Sequence, residues 1–214
     1  MENGRLIAIG DIHGEYYKLE NLIKKLDLKS NDTCVFTGDY IDLGEYSRDV
    51  VSRLIELSKE INCIFLKGNH EDLLLKAKNN NFKAVENWYL VGGDTTLKNY
   101  GEEIKDVFSV HGEFFENLKL NYMTKRYFFV HGGINPEKSF EEQTEQDFLW
   151  YRHDFVEKPF GLPQKIVFGH TSCIEPYIDK YAVGIDTGCG KVEDTKLTAF
   201  ICYDEVFIQS DVVW

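Results

Sequence analysis

Three short motifs that combine acidic, amide and histidine side chains recur along the first third of the chain. They read Gly10-Asp11-Ile12-His13-Gly14, Gly38-Asp39-Tyr40-Ile41-Asp42 and Gly68-Asn69-His70-Glu71. The steps between them are roughly thirty residues, about one βαβ unit. Each motif follows a short apolar run that predicts a strand and precedes a segment with helical spacing. Sites in open α/β sheets form at the carboxyl ends of strands, so these groups are predicted to meet at one sheet edge.

Two later motifs add histidines at further strand ends. His131 follows the predicted strand Tyr127–Val130, and His170 follows the predicted strand Lys165–Phe168. A single strand-end aspartate is usually a turn or capping residue, and a lone histidine can be a satisfied core residue. Five strand ends that carry such groups in register instead predict a metal site. Mixed oxygen and imidazole ligands suit manganese, iron or zinc better than calcium.

The segments around the motifs predict the fold. Strands at Leu6–Ile9, 34–37 and 63–66 alternate with helices at Tyr16–Leu26, after an N-cap at Ser47, and at 71–78. A helix at 143–152, a strand at 181–185 and a hairpin of 197–203 with 206–210 are predicted later in the chain. The order predicts an α+β fold of four layers, in which two mixed β-sheets pack as a sandwich flanked by helices. We expect a single domain over residues 1–214.

Residues 80–124 interrupt this pattern. Helical spacing at 82–90 and 106–118 predicts a helical insertion beside the site, with Gly92-Gly93-Asp94-Thr95-Thr96-Leu97 between the two helices. The insertion either covers a sheet edge that would otherwise be exposed or shapes the access of substrate.

The charge and the cysteine content restrict the partners and the compartment. The 214 residues carry a net charge of -12, which argues against nucleic acid and anionic membranes as partners. No apolar run approaches the roughly 20 residues of a membrane-spanning helix, and we see no signal-peptide pattern. Five cysteines without a Cys-x-x-Cys pair fit reduced thiols, so we expect a cytoplasmic protein.

The whole series of motifs resembles that of the calcineurin-like metallophosphoesterases. Gly-Asp-x-His-Gly, Gly-Asp-x-x-Asp-x-Gly, Gly-Asn-His-Glu, His-Gly-Gly and Gly-His-Thr occur in that order, and the resemblance spans 11–197. Within the family the chain is similar to the phosphoprotein phosphatase branch. Its bacterial members are described as serine/threonine protein phosphatases or diadenosine tetraphosphate hydrolases. The family fold, a β-sandwich flanked by helices, agrees with the prediction from the elements.

The resemblance implies a role for each matching position. The implied metal ligands are Asp11 and His13 for a first ion, Asp39 for both ions, and Asn69, His131 and His170 for a second. His70 would be the general acid, with Asp42 as its partner, and Arg152 would bind a phosphate oxygen. The family favours two manganese ions, with iron or zinc as alternatives.

The chemistry explains why these residue types are needed. Two divalent ions joined by one carboxylate, here Asp39, can neutralise a phosphoryl group and generate hydroxide near neutral pH. The leaving alkoxide then needs a proton, which a neighbouring imidazolium can supply. His70 follows Asn69 directly, and Asp42 lies three residues beyond Asp39, so Asp42 could reach His70 and raise its pKa.

Two positions depart from the family pattern. Leu43 stands where an arginine usually follows Asp42, and Lys67 stands where an arginine often precedes Gly-Asn-His-Glu. A leucine has no charged hydrogen-bond donors, so it cannot bind a phosphate oxygen as a guanidinium does. The phosphate clamp is therefore Arg152 alone, or Arg48 reaches in from the start of its helix. His153 either contacts substrate or faces solvent.

Three functions are compatible with this sequence. We predict first a phosphomonoesterase that acts on phosphoserine or phosphothreonine in proteins. The alternative keeps the chemistry and takes diadenosine tetraphosphate, which the 92–97 and 150–152 segments favour. The third is a metal-stabilised module that binds phosphorylated ligands without turnover, which Leu43 and Lys67 would fit. The paired His70 and Asp42 argue against it, because binding alone does not need an acid.

Overall fold

Two mixed five-stranded sheets form the centre of the structure, a computed structural model that describes residues 4–79, 81–152 and 161–212; His153 lies outside them. The first sheet has the order β10-β9-β1-β2-β3 and the second β4-β5-β6-β8-β7. The strands are β1 (Leu6–Ile9), β2 (Thr33–Phe36), β3 (Asn62–Phe65), β4 (Asn121–Met123), β5 (Tyr127–Val130), β6 (Lys165–Phe168), β7 (Tyr177–Ile178), β8 (Ala182–Gly184), β9 (Thr198–Ile201) and β10 (Val206–Gln209).

The strand register brings the motif-bearing loops to one edge of the molecule. β1, β2 and β3 run parallel, and Ile9, Phe36 and Phe65 lie level at their carboxyl ends. In the second sheet β5, β6 and β8 are also parallel, whereas β9 and β10 of the first sheet and the two edge strands β4 and β7 of the second pair in antiparallel fashion. Loops that follow level parallel strands begin side by side. The residues directly after each strand therefore already lie at the site.

Three apolar cores define four layers. The core between the sheets takes alternate residues from both, including Ala8, Val35, Phe129 and Val167. The opposite face of the first sheet packs on most of the helices, and the outer face of the second sheet packs on the last helix through Phe148. The structure confirms the predicted sandwich of two mixed sheets flanked by helices.

Seven α-helices lie in the described part of the chain. They are α1 (Tyr16–Leu26), α2 (Ser47–Leu57), α3 (Asn69–Ala77), α4 (Phe82–Tyr89), α5 (Gly93–Tyr100), α6 (Ile104–Glu116) and α7 (Glu145–Trp150). The predicted N-cap at Ser47 is wrong: Tyr46 precedes the helix, and the Ser47 hydroxyl instead accepts the Asp42 N–H at 3.1 Å. That contact ties the start of α2 to the second motif.

The helices α4, α5 and α6 occupy the region predicted as an insertion. Their helical part ends at Glu116, and β4 then joins the second sheet. Beyond α6, Lys119 bridges to the edge strand β3: Lys119 N–H donates to Phe65 O at 3.0 Å, and Lys67 N–H donates to Lys119 O at 2.7 Å. This segment therefore covers the open edge of the first sheet, as one of the two predicted roles requires.

Two further observations concern the helices and the cysteines. No helix in the described ranges has both the length and the apolar character needed to cross a membrane. All five cysteines are free.

Candidate active site

Buried hydrogen bonds hold the first three motif loops against one another. The Asp39 carbonyl accepts the N–H groups of Ile12 and His13, each at 2.9 Å. The carboxylate of Glu71 accepts the N–H groups of Asp39, Tyr40 and Gly68 at 2.8–3.0 Å. Glu71 is fully buried, so this carboxylate is a structural clamp. The prediction assigned Glu71 no role, although its place in the Gly-Asn-His-Glu motif was a signal.

Asp39 lies between two clusters of histidine side chains. Ligand atoms of His13, Asp39 and His70 lie within 4.8 Å of one another, as do those of Asp39, His131 and His170. Asp39 Oδ2 is 3.5 Å from His13 Nε2, whereas Oδ1 is 3.4 Å from His131 Nε2. One carboxylate thus presents one oxygen to each cluster, which is the geometry that a bridging ligand needs.

Backbone carbonyls fix which ring nitrogen each histidine presents to the clusters. The Nδ1 atoms of His13 and His131 lie 3.0 and 2.9 Å from the carbonyls of Ile41 and Thr37. A carbonyl only accepts, so Nδ1 carries the proton and Nε2 keeps a free lone pair. Burial and, to a smaller extent, the nearby charge of His70 lower the pKa of His13 to about 3. The neutral form is the one that binds metal ions.

Several buried polar atoms of the site lack a partner, and this tests whether metal ions fit. His13 Nε2, His170 Nε2 and Asp39 Oδ2 accept no hydrogen bond. His131 Nε2 and Asn69 Oδ1, both acceptors, lie only 2.8 Å apart. Buried polar groups normally have partners, and lone pairs that converge in this way favour a cation. The residues therefore fit two divalent ions.

The backbone at the site is strained. His13, Asp39, Asp42 and His170 have φ values of 46°, 53°, 71° and 59°. Non-glycine residues rarely adopt positive φ, and such residues cluster at functional sites. The close approach of loops also requires glycine at Gly68, where an added Cβ would lie 2.1 Å from Asp39 Oδ1.

His70 and Asp42 form the predicted pair. His70 Nδ1 lies 2.8 Å from Asp42 Oδ2, and His70 Nε2 is 3.9 Å from Asp39 Oδ2. Burial alone would lower the pKa of His70, but the carboxylates of Asp39 and Asp42 outweigh burial and raise it to about 9. His70 is thus protonated at neutral pH and presents its Nε2–H to the cluster.

Two residues of the helical insertion hold Asp42, and the sequence did not indicate them. Trp88 Nε1–H donates to Asp42 Oδ2 at 2.8 Å, and the Thr96 hydroxyl donates to Oδ1 at 2.6 Å. Trp88 is completely buried, so its indole N–H holds the Asp42 carboxylate from inside the protein. The insertion is therefore part of the site.

Trp88→Phe should destabilise the protein by about 1–3 kcal/mol, because it keeps the ring but removes a buried donor to a carboxylate. Urea unfolding of the metal-free protein measures the change. Tyr89→Phe, at the adjacent, 46% exposed position, is the matched control. Equal stability of Trp88→Phe and the parent would contradict a supporting role for the indole.

Comparisons with known proteins agree with this geometry. The family described as calcineurin-like phosphoesterase matches residues 4–203. The chain belongs to this family. Membership of this family implies divalent metal ions, and the side chains of the two clusters could bind them. The protein is therefore a hydrolase of phosphoesters.

Three proteins similar to this calcineurin-like phosphoesterase are named for two classes of substrate. An asymmetrical bis(5'-nucleosyl)-tetraphosphatase, PrpE, of Oceanobacillus iheyensis is 29% identical, with 95% of this chain and 91% of that protein covered. The serine/threonine-protein phosphatase 2B catalytic subunit A2 of Saccharomyces cerevisiae is 33% identical over 62% of this chain but only 20% of its own length. The solved structure of a candidate diadenosine tetraphosphatase has the same fold, with a TM-score of 0.72, 22% identity, and coverage of 99% and 95% of the two chains.

Leu43 and Lys67, the two departures from the family pattern, each contact other parts of this phosphoesterase. Leu43 is half-buried and packs on Gly92 at the start of α5, where an added Cβ would lie 2.7 Å from Leu43 Cδ2. Lys67 forms ion pairs with Glu145 and, at 4.0 Å, with Asp72. The leucine therefore joins the insertion to the second motif instead of offering a charge to substrate.

The two candidate phosphate-binding arginines differ in their surroundings. Arg152 is exposed, and its positive charge acts on His170, whose pKa is lowered to about 2 mainly by burial and by the charge of His131. Arg48 is also exposed, but its charge acts on Tyr100 and His111 in the insertion. Arg152 is the better-placed candidate.

Asp147 anchors the helix that leads to Arg152. Its carboxylate accepts hydrogen bonds from Thr144, Lys138 and Asn135 at 2.6–3.3 Å. Burial opposes ionisation, but these donors outweigh it and lower the pKa of Asp147 to about 2. The start of α7 thus depends on an ionised carboxylate.

Asp147→Asn should lower the free energy of unfolding by about 1–2 kcal/mol near neutral pH. Because the folded-state pKa lies below the usual value of about 3.9, this contribution is present above pH 4 and is lost as the pH falls toward 2. Urea unfolding of parent and variant between pH 2 and 7 measures the difference. The exposed Glu141→Gln is the control. A difference that is independent of pH would contradict this role.

Asp11, the remaining predicted ligand, is buried but is not among the side chains of either cluster. Its Oδ2 accepts the His170 N–H at 3.0 Å and a hydrogen bond from Lys191 Nζ at 3.1 Å. Lys191 also contacts Asp186 Oδ2 at 2.7 Å. The sequence analysis assigned no role at the ligands to Asp186 or Lys191, and Lys191 lies 180 residues from Asp11 along the chain.

Proposed function

We propose that this calcineurin-like phosphoesterase uses two divalent ions, most simply manganese, to hydrolyse a dinucleoside polyphosphate. The observation that carries the metal-dependent chemistry is Asp39, whose two carboxylate oxygens face two separate ligand clusters. The named substrate of the relative that matches over nearly the whole length of both chains supports the choice of substrate.

The proposed ligands are Asp11, His13 and Asp39 for one ion and Asp39, Asn69, His131 and His170 for the other. Ions bound there would neutralise the charge of the phosphoryl group and make water a better nucleophile near neutral pH. Arg152 would hold a phosphate oxygen at the mouth of the second cluster, with Arg48 as a more distant candidate. A single domain over 1–214 would carry the whole activity.

The protein's own contribution to bond cleavage is a positioned proton. Asp42 accepts the Nδ1–H of His70 and holds the ring so that its Nε2–H points toward Asp39 and the cluster. That proton can pass to the oxygen that leaves phosphorus. Trp88 and Thr96 bind the same Asp42 carboxylate and prevent it from turning away.

The positioned proton donor His70 favours a second candidate function, the hydrolysis of phosphoserine or phosphothreonine in proteins. A serine or threonine alkoxide is strongly basic and cannot leave without a proton, whereas a nucleoside polyphosphate is a weakly basic leaving group. The relative named as a protein phosphatase catalytic subunit supports this candidate over part of the chain.

Side-by-side kinetics separate the two candidates. Purified protein with added manganese is assayed on diadenosine tetraphosphate, a phosphothreonine peptide and p-nitrophenyl phosphate, with EDTA as the metal-free control. A kcat/KM for the dinucleotide well above that for the peptide supports the first candidate, and the reverse order supports the second. Tight phosphopeptide binding without release of phosphate would indicate a binding module, and no turnover of any substrate would contradict the proposed enzyme.

A further inference from the structure

Lys191 is a half-buried cation that contacts Asp11, a predicted ligand of the first metal ion. Its Nζ lies 3.1 Å from Asp11 Oδ2, 2.7 Å from Asp186 Oδ2 and 3.3 Å from Ser172 Oγ. The Lys191 side chain is 23% exposed, and both carboxylate groups are fully buried. A buried carboxylate without a counter-charge is costly, so in the metal-free protein the ammonium group offsets part of the negative charge of Asp11 and Asp186.

The loop that carries Lys191 is packed directly on a candidate ligand. Gly190 has a φ of 74°, and a Cβ added there would lie 2.6 Å from the Cβ of His13. The N–H of Lys191 donates to Gly188 O at 2.9 Å, and the N–H of Gly188 donates to Asp186 Oδ1 at 2.9 Å. A hydrogen-bonded turn that packs on His13 thus holds Lys191 beside the predicted ligands.

We propose that Lys191 is an internal counter-ion that competes with the first metal ion for Asp11 and thereby lowers the affinity of the first metal site. An oxygen that accepts a hydrogen bond from an ammonium group is a poorer ligand, and a fixed positive charge beside the cluster repels a divalent ion. Asp186 and Ser172 provide a place where the ammonium group remains bound when Asp11 turns to a metal ion.

The ammonium nitrogen contacts two carboxylates, at 3.1 and 2.7 Å, so this chain places a cation directly beside a predicted metal ligand. A structural ion pair predicts a different outcome, because removing a residue that only holds Asp11 in place should weaken metal binding.

Calorimetric titration of the metal-free protein with MnCl₂ tests the proposal. Lys191→Met keeps the length of the side chain and removes its charge, so it should bind the first manganese ion at least about tenfold more tightly than the parent. Lys196→Met is the matched control, because this exposed lysine lies on the same loop and its charge acts on Asp211. It should bind manganese as the parent does.

Two further measurements complete the test. Metal-free Lys191→Met should melt at a lower temperature than the parent, because Asp11 and Asp186 lose their counter-ion. Lys191→Arg keeps the charge and should bind manganese no more tightly than the parent, which keeps the test informative if Lys191→Met fails to fold without metal. Unchanged or weaker manganese binding by Lys191→Met, or tighter binding by Lys191→Arg, would overturn the proposal.

The inference rests on the proposed metal site, and the two can fail separately. If the parent protein binds no manganese, the assignment of the ligands is wrong. If the parent binds manganese with an affinity that does not depend on the charge at Lys191, the site stands and only the competition is refuted.

Discussion

Asp39→Asn is expected to abolish binding of at least one manganese ion and to lower kcat by two orders of magnitude or more. The two oxygens of Asp39 face different clusters, so one substitution weakens both ligand sets at once. An amide lacks the charge that holds two divalent ions close together, and the loss of one electrostatic element of a site typically costs a factor of this size.

The measurement combines calorimetric titration with manganese and turnover of p-nitrophenyl phosphate. Asp94→Asn is the matched control, because it removes the same charge from an exposed residue whose partner is Lys98. The control should keep both manganese ions and its activity. An Asp39→Asn variant that binds two ions with parental affinity would show that the carboxylate does not bridge them.

His70→Asn should lower turnover of a phosphothreonine peptide by about 10²–10⁴-fold, the range for loss of a general acid. The loss on diadenosine tetraphosphate should be much smaller, because its phosphate leaving group needs little protonation. Comparison of kcat for the two substrates in parent and variant measures the difference. His111→Gln is the control, since this histidine is bonded to Tyr100 and Ser52. Equal losses on both substrates would contradict an acid role for His70.

Hydrolysis of the phosphothreonine peptide should slow down as the pH rises. The acid must be protonated, and the carboxylates of Asp39 and Asp42 outweigh burial to raise the pKa of His70 to about 9. Turnover of the phosphomonoester should therefore fall as the pH rises toward that value, and bound cations would shift the fall to lower pH. The same limb should be absent in His70→Asn.

The fold could be predicted from the sequence because its signals are local. The apolar face of Tyr16–Leu26 and the apolar run of Tyr127–Val130 gave the observed bounds. The start of α5 was missed, since Gly93, Thr95 and Thr96 are poor helix formers and packing on Trp88 decides the conformation there. Ser47 was assigned as a cap because its type fits one, whereas the folded chain uses its hydroxyl to bind the Asp42 loop.

The sequence predicted the residues of the site that belong to its motifs. Strand ends carried His13, Asp39 and His131, and level parallel strands bring them together. Contacts that join distant segments had no such signal: Trp88 reaches Asp42 across 46 residues, and Lys191 reaches Asp11 across 180. These residues are ordinary core and loop types in the sequence, and only tertiary packing gives them a role.

The most direct test of the account is anomalous diffraction from crystals grown with manganese. Two ions should appear beside Asp39, one contacting His13 and the other contacting His131 and His170. Data collected at the manganese edge would locate both without reference to activity. Crystals that diffract well and contain no anomalous peak at either cluster would contradict the claim that these side chains form a dinuclear metal centre.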